Sequence, residues 1–176
     1  MPQTQIAVLM GSDSDWEIMQ ECVAQLKKLG LSCDVQVMSA HRSPDRVREF
    51  ATAAQERGYE VIIAAAGMAA ALAGTVAAHT TLPVIGVPLA NGALQGVDAL
   101  LSTVQMPPGI PVATVGIGVP GARNAAVLAA QIIGRHNSAV DTALKRFKEQ
   151  LVEGVDKKNA ALQATLAQQG RSVPRP

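Results

Sequence analysis

Five short apolar runs recur along this chain at intervals of about 25 residues, each followed by a segment with helical spacing. The runs occupy residues 6–10, 33–38, 61–66, 83–87 and 112–117. Strands that run the same way in one sheet need a long crossover between them, and a helix on a right-handed path supplies it. The pattern therefore predicts an α/β fold with a parallel five-stranded sheet. Trp16, Met19, Val23, Leu26 and Leu29 form the first helical stripe, closed by Gly30. Ser43 and Pro44 suit the cap and first turn of a second helix, carrying Val47, Phe50 and Ala54. Further helices are expected over 69–78, 94–104 and 122–135, with a proline-rich loop over 106–111.

After Asn137 the texture changes. Val140, Leu144, Phe147, Leu151 and Val155 keep a helical period, but no strand follows them. An extra helix with no sheet to cover is expected to pack on a neighbouring subunit, so an oligomer is expected. Residues after Gly170 read as a frayed tail. The chain divides into an α/β domain over 1–136 and a C-terminal helix and tail over 137–176.

Composition narrows the partners. Apolar residues make up 48% of the 176 residues but aromatics only 2%, so Ala, Val, Ile and Leu must fill the core. A formal net charge of +1 offers no broad attraction for nucleic acid or an anionic membrane. Residues 61–97 contain no Lys, Arg, Asp or Glu, long enough to raise the question of a membrane span. Alanine dominates that stretch, and Gly67, Gly74, Pro83 and Pro88 interrupt it, which favours a buried strand, helix and strand. Cys22 and Cys33 have no metal or redox spacing and read as reduced, buried thiols. Met1 to Gln5 lack the pattern of a signal peptide, and a cytoplasmic protein is expected.

Two polar loops carry the chemistry. Gly11, Ser12, Asp13, Ser14 and Asp15 follow the first apolar run; Ser39, Ala40, His41, Arg42, Ser43, Pro44 and Asp45 follow the second. In a parallel sheet both loops lie at the carboxyl ends of their strands, where open α/β sheets bind ligands. Ser12 and Ser14 precede a helix start, whose free N–H groups and dipole attract a phosphate. The same residues suit a plain helix cap. Asp15 is placed to accept bonds from sugar hydroxyls, as acidic residues do in dinucleotide sites.

In the second loop Arg42 offers a bidentate contact to phosphate, and Ser39 and Ser43 add donors. His41 can give and take a proton near neutral pH. His79 and His136 stand at expected helix ends and read as structural. No histidine pair or carboxylate cluster has ligand spacing, so no metal is expected. The absence of GxxxxGK[ST] and GxGxxG disfavours nucleoside triphosphates and dinucleotides.

The motifs GSDSDW and SAHRSPD, the stretch LPVIGVP (82–88) and the turn QMPPGIPV (105–112) together resemble the N5-carboxyaminoimidazole ribonucleotide mutase family of purine biosynthesis. The likeness runs from about Ile6 to Arg135. It implies a flavodoxin-like three-layer sandwich assembled as an octamer, no cofactor, and an isomerase that moves a carboxylate from an exocyclic nitrogen to ring carbon C4. It further implies that Ser12, Ser39 and Arg42 bind the ribotide phosphate with Ser14 nearby, and that Asp15 holds the ribose hydroxyls. Ala40 and Gly67 would contact substrate through backbone, and His41 would transfer the proton.

The chain departs from the family at Gly67, Met68, Ala69, Ala70, Ala71, Leu72, Ala73, Gly74, where the usual segment reads Gly-Gly-Ala-Ala-His-Leu-Pro-Gly. A histidine and a proline are each replaced by alanine, and a glycine by methionine. Arginine after His41 matches the mutase branch, whereas a carboxylase branch using free CO2 typically carries lysine there. A ribotide-binding relative without activity is the other alternative.

Overall fold

Apolar runs flanked by glycine and polar turns become strands because burial on both faces rewards β-branched residues. The computed structural model describes residues 5–168. The strands are β1 (Ile6–Met10), β2 (Cys33–Val37), β3 (Val61–Gly67), β4 (Val84–Leu89) and β5 (Ala113–Thr114). All pair in parallel, in the order β2-β1-β3-β4-β5. The helices are α1 (Trp16–Lys28), α2 (Pro44–Ala53), α3 (Leu72–Ala77), α4 (Val97–Val104), α5 (Gly118–Ile133) and α6 (Ser138–Gln168). The expectation for the tail after Gly170 lies outside the described residues, as do Met1 to Thr4.

Alternation along each strand sends side chains to two apolar layers. Ile6, Val8 and Met10 of β1 join Val61, Ile63 and Ala65 of β3 under α1 and α5, where Met19, Leu26, Ala125 and Ala129 meet them. Ala7 and Leu9 face the other way, with Ile62 and Ala64, onto Val47 and Phe50 of α2 and Leu72 and Val76 of α3. Helix, sheet and helix thus form three layers with the flavodoxin-like strand order. Alanines let α5 lie close on the sheet: Ala122, Ala125, Ala126, Ala129 and Ala130 are fully buried.

Several expectations shift, among them the helix expected over 122–135, which begins at Gly118. The strand expected over 112–117 shrinks to Ala113–Thr114, the two residues that pair with Ile85 and Gly86 of β4. The helix expected over 69–78 begins at Leu72, so Ala69, Ala70 and Ala71 stay in the loop after β3. Ser43 stands at the cap position of α2, yet its hydroxyl donates to the Ser39 carbonyl instead of capping the helix. The segment over 61–97 is a strand, a helix and a strand, and no described helix is long and apolar enough to cross a membrane. Cys22 is buried but Cys33 only half-buried, because it stands on the edge strand β2.

The first turns of α6 pack on this chain's own α5: Val140 is buried, and Leu144 and Phe147 lie against the core. Further along, Leu151, Val152, Val155 and Leu162 are exposed. Most of the edge strand is exposed too, including Val35 and Val37.

Candidate active site

The chain leaves β1 in one direction to reach β2, and β3 lies on the other side of β1. At such a switch point the loops diverge and open a crevice above the carboxyl ends of the strands. A cavity of about 540 Å³ occupies that place, walled by the loops after β1, β2, β3 and β4. Ser12, Ser14, Asp15, Ser39, Ala40, His41, Arg42 and Gly67 all line it. The sequence reading named these eight residues from separate loops, and the fold brings every one of them to the same cavity.

The first loop is built by local bonds. Gly11 donates to the Ala65 carbonyl (3.1 Å), extending the β1–β3 ladder by one residue. A single 3₁₀ turn, Asp13–Asp15, then leads into α1. The Ser12 N–H donates to Asp15 Oδ2 (3.0 Å), while Ser12 Oγ accepts from the Ser14 N–H (3.4 Å), a reciprocal cap. Ser14 Oγ donates to Ser12 Oγ (2.9 Å), which donates to Asp13 Oδ1 (3.1 Å). The serines therefore do cap the turn, and their hydroxyls form a chain at the cavity edge that a phosphate can enter by exchange.

Asp15 is the exception among the polar residues of the loop. It is only 3% exposed, and burial pushes its carboxyl above the ordinary carboxylate value. Hydrogen bonds from Ser12 and Asn91 oppose that rise. Asp13 is exposed, and its Oδ1 accepts from the Ser12 hydroxyl (3.1 Å) and the Ser14 N–H (3.1 Å), so an entering phosphate must displace that carboxylate from the serines.

The second loop is a tight turn closed by its two serines. Ser43 Oγ accepts from the Ser39 N–H (3.0 Å) and donates to the Ser39 carbonyl (3.1 Å). Ser39 Oγ accepts from the Arg42 N–H (3.2 Å). The Arg42 guanidinium crosses to the first loop, where Nη2 donates to the Gly11 carbonyl (2.9 Å). One of its five donors is thus engaged, and the fork is held beside Ser12. His41 is exposed at the cavity wall and makes no side-chain hydrogen bond among the described residues, which leaves both ring nitrogens available to a ligand. His136, by contrast, pairs with Glu60 (2.6 Å) near the amino end of β3, consistent with a structural role.

Asn91 is a cavity residue with no expectation attached to it from sequence, and Met68 enters the sequence analysis only as a departure from the family. Asn91 lies after β4 and donates from Nδ2 to Asp15 Oδ1 (3.1 Å). Met68 holds a left-handed backbone (φ 56°) and is 60% exposed at the rim. The Asn-Gly pair at 91–92, directly after an apolar strand, was a turn signal at the ligand-binding edge and could have directed attention there. Met68 is visible only as the residue standing where the resembling family carries glycine.

A parallel α/β domain with serine and arginine donors, a buried carboxylate and an exposed imidazole at its switch point has the groups of an enzyme site for a small polar ligand. Comparison with known proteins narrows this. Residues 5–154 match the AIR carboxylase family model, and the chain belongs to that family. It is 54% identical over 145 residues to a Haemophilus influenzae protein named N5-carboxyaminoimidazole ribonucleotide mutase, covering 82% of this chain and 88% of that one. A Mycobacterium tuberculosis protein of the same name is 50% identical over 158 residues, 90% of each chain. The crystal structure of Treponema denticola PurE superposes with a TM-score of 0.81 at 26% identity, covering 89% of this chain and 97% of that one.

Proposed function

We propose that this protein is an isomerase that converts 5-(carboxyamino)imidazole ribonucleotide into 4-carboxy-5-aminoimidazole ribonucleotide in de novo purine biosynthesis. The relatives at 50–54% identity support the reaction. The observation that carries the roles is the convergence of His41, Arg42, Ser12 and Asp15 on one cavity. Arg42, Ser12, Ser14 and Ser39 grip the ribotide phosphate, and Asp15 accepts from the ribose hydroxyls. Backbone at Ala40 and Gly67 contacts the base.

His41 then serves twice. As imidazolium it gives a proton to the exocyclic nitrogen. The N–C bond to the carboxylate breaks, its electron pair stays on nitrogen, and neutral CO2 is freed. Ring carbon C4 uses its π pair to attack CO2, forming the C–C bond and a cationic ring. Neutral His41 removes the C4 proton, restoring the aromatic ring and the imidazolium. One group acting as acid and then base contributes about 10²–10⁴-fold in each role. Ala66, Ala69, Ala70 and Ala71 line the cavity with small apolar surface that offers CO2 nothing to react with.

The same reading makes the chain a homo-oligomer, assigned as an octamer, and a cytoplasmic enzyme that needs no metal or organic cofactor. Leu94, Val97, Leu101 and Val104 at and before α4, with Val35 and Val37 on β2, leave apolar surface for neighbours to cover. Light scattering should return a mass eight times the 18.2 kDa chain.

The deciding experiment follows the purified protein with each ribotide, with and without bicarbonate. The mutase reading expects product from the N-carboxylated ribotide alone; turnover only with the uncarboxylated ribotide and bicarbonate supports the carboxylase. His41→Asn should abolish conversion while ribotide binding persists. Retained turnover in that variant removes His41 from the chemistry.

A further inference from the structure

We propose that Asn91 is a positioning residue: its side-chain amide holds the Asp15 carboxylate in the orientation that selects a sugar bearing vicinal hydroxyls. The inference deepens the ribotide reading above and rests on it.

Asn91 links three strand-end loops. It stands after β4, its Nδ2 donates to Asp15 Oδ1 (3.1 Å) in the loop after β1, and it rests on Gly67 at the end of β3. A carboxylate oxygen only accepts, so the amide atom facing it must be the nitrogen. The seat on Gly67 is exact in shape. A Cβ at position 67 would lie 2.9 Å from Asn91 Cβ, 3.0 Å from Nδ2 and 3.2 Å from Cγ. Only glycine at 67 admits Asn91 in this place, and the strand end and the amide are therefore matched to each other.

The carboxylate needs such a partner. Asp15 is almost wholly buried, and an ionised group there is costly unless hydrogen-bonded. Ser12 N–H holds Oδ2 and Asn91 Nδ2 holds Oδ1, one donor on each oxygen. A carboxylate has about four acceptor positions, so the ones left over belong to the ligand, since Asp15 borders the cavity. Clamping both oxygens fixes the rotamer before the ligand arrives and lowers the ordering cost of binding. A neutral amide does this without cancelling the charge that makes the acceptor strong.

The test compares the ribotide with its 2′,3′-dideoxy analogue. Asn91→Leu keeps the side-chain volume over Gly67 and deletes the donor; Asn91→Ala removes both. Asp15→Asn serves as reference. Both Asn91 variants should raise KM for the ribotide about tenfold, the equivalent of about 1.4 kcal/mol, with kcat changed less than about threefold. KM for the dideoxy analogue should stay at the wild-type value. Circular dichroism and mass check the fold of each variant. An equal rise for both ligands, or wild-type behaviour of Asn91→Leu, assigns Asn91 to packing and overturns the proposal. If Asp15→Asn loses the preference for the ribotide while Asn91→Leu keeps it, the proposal alone fails. If Asp15→Asn keeps that preference, the ribose reading falls and takes the proposal with it.

Discussion

Replacing Arg42 by methionine probes the phosphate grip with the least disturbance to the fold. The side chain is exposed, and its one hydrogen bond among the described residues runs from Nη2 to the Gly11 carbonyl. Losing an exposed bond of that kind moves stability by no more than about 1 kcal/mol. Arg42 lines the cavity together with Ser12 and Ser39, so on the proposed reading the loss falls on the ligand. Charge-assisted hydrogen bonds contribute about 1.5–3 kcal/mol. Arg42→Met should therefore raise KM about 10- to 150-fold. The phosphate is remote from C4 and contributes equally to ground and transition states, so kcat should change little. Arg42→Lys keeps a point charge but loses the fork, and should fall between the two. Initial rates at fixed ionic strength measure this, and added salt should raise the wild-type KM more than that of Arg42→Met. A KM within about twofold of wild type in Arg42→Met refutes the grip. So does a collapse of kcat at unchanged KM.

Two further expectations concern the scaffold. At Gly86 in β4, an added Cβ would lie 2.4 Å from Thr103 Cγ2 and 2.8 Å from Val112 Cγ1. Gly86→Ala should cost about 1–3 kcal/mol by overpacking, lowering Tm by about 2–4 °C per kcal/mol at fixed protein concentration. Adding Thr103→Ser removes the nearer methyl while its hydroxyl can still reach the Ala99 carbonyl, so the pair should be markedly non-additive; simple additivity counts against the clash. Burial pushes the Cys22 thiol up to about 12, the Cys33 thiol to about 11 and the Tyr59 hydroxyl to about 12, the last aided by its bond to Asp34. Each proton is held more tightly folded than unfolded, against ordinary values of 9.0 for the thiols and 10.0 for the phenol. Their stabilisation is complete below pH 9 and is lost as pH rises toward 12. Denaturant midpoints should fall steadily across that range, and less steeply in Cys22→Ala; matched slopes would exclude Cys22 from the effect.

What can be read from a sequence depends on the range of the interaction that sets it. The central strands were legible because burial on both faces writes an unbroken apolar run into β1, β3 and β4. α1 was legible from its stripe and from Gly30, which takes the left-handed turn after it (φ 77°). The edge was harder. β5 keeps only Ala113–Thr114 of a six-residue apolar stretch, because ladder length depends on where β4 lies, not on propensity. The start of α3 was misplaced for a related reason: alanine suits helix and loop alike, and residues 68–71 follow the cavity wall instead of the helix axis.

The site divides in the same way. By itself the sequence determined the two polar loops, the chemistry of His41, Arg42, Ser12 and Asp15, and the sheet edge where they had to lie, since each loop follows its own strand. Only the tertiary structure decided that Arg42 reaches across to Gly11, that Ser43 closes its own loop, and that Asn91 meets Asp15 from 76 residues away. Strand pairing across the sheet sets those meetings, and no local pattern of residues encodes which side chains two neighbouring strand ends will bring together.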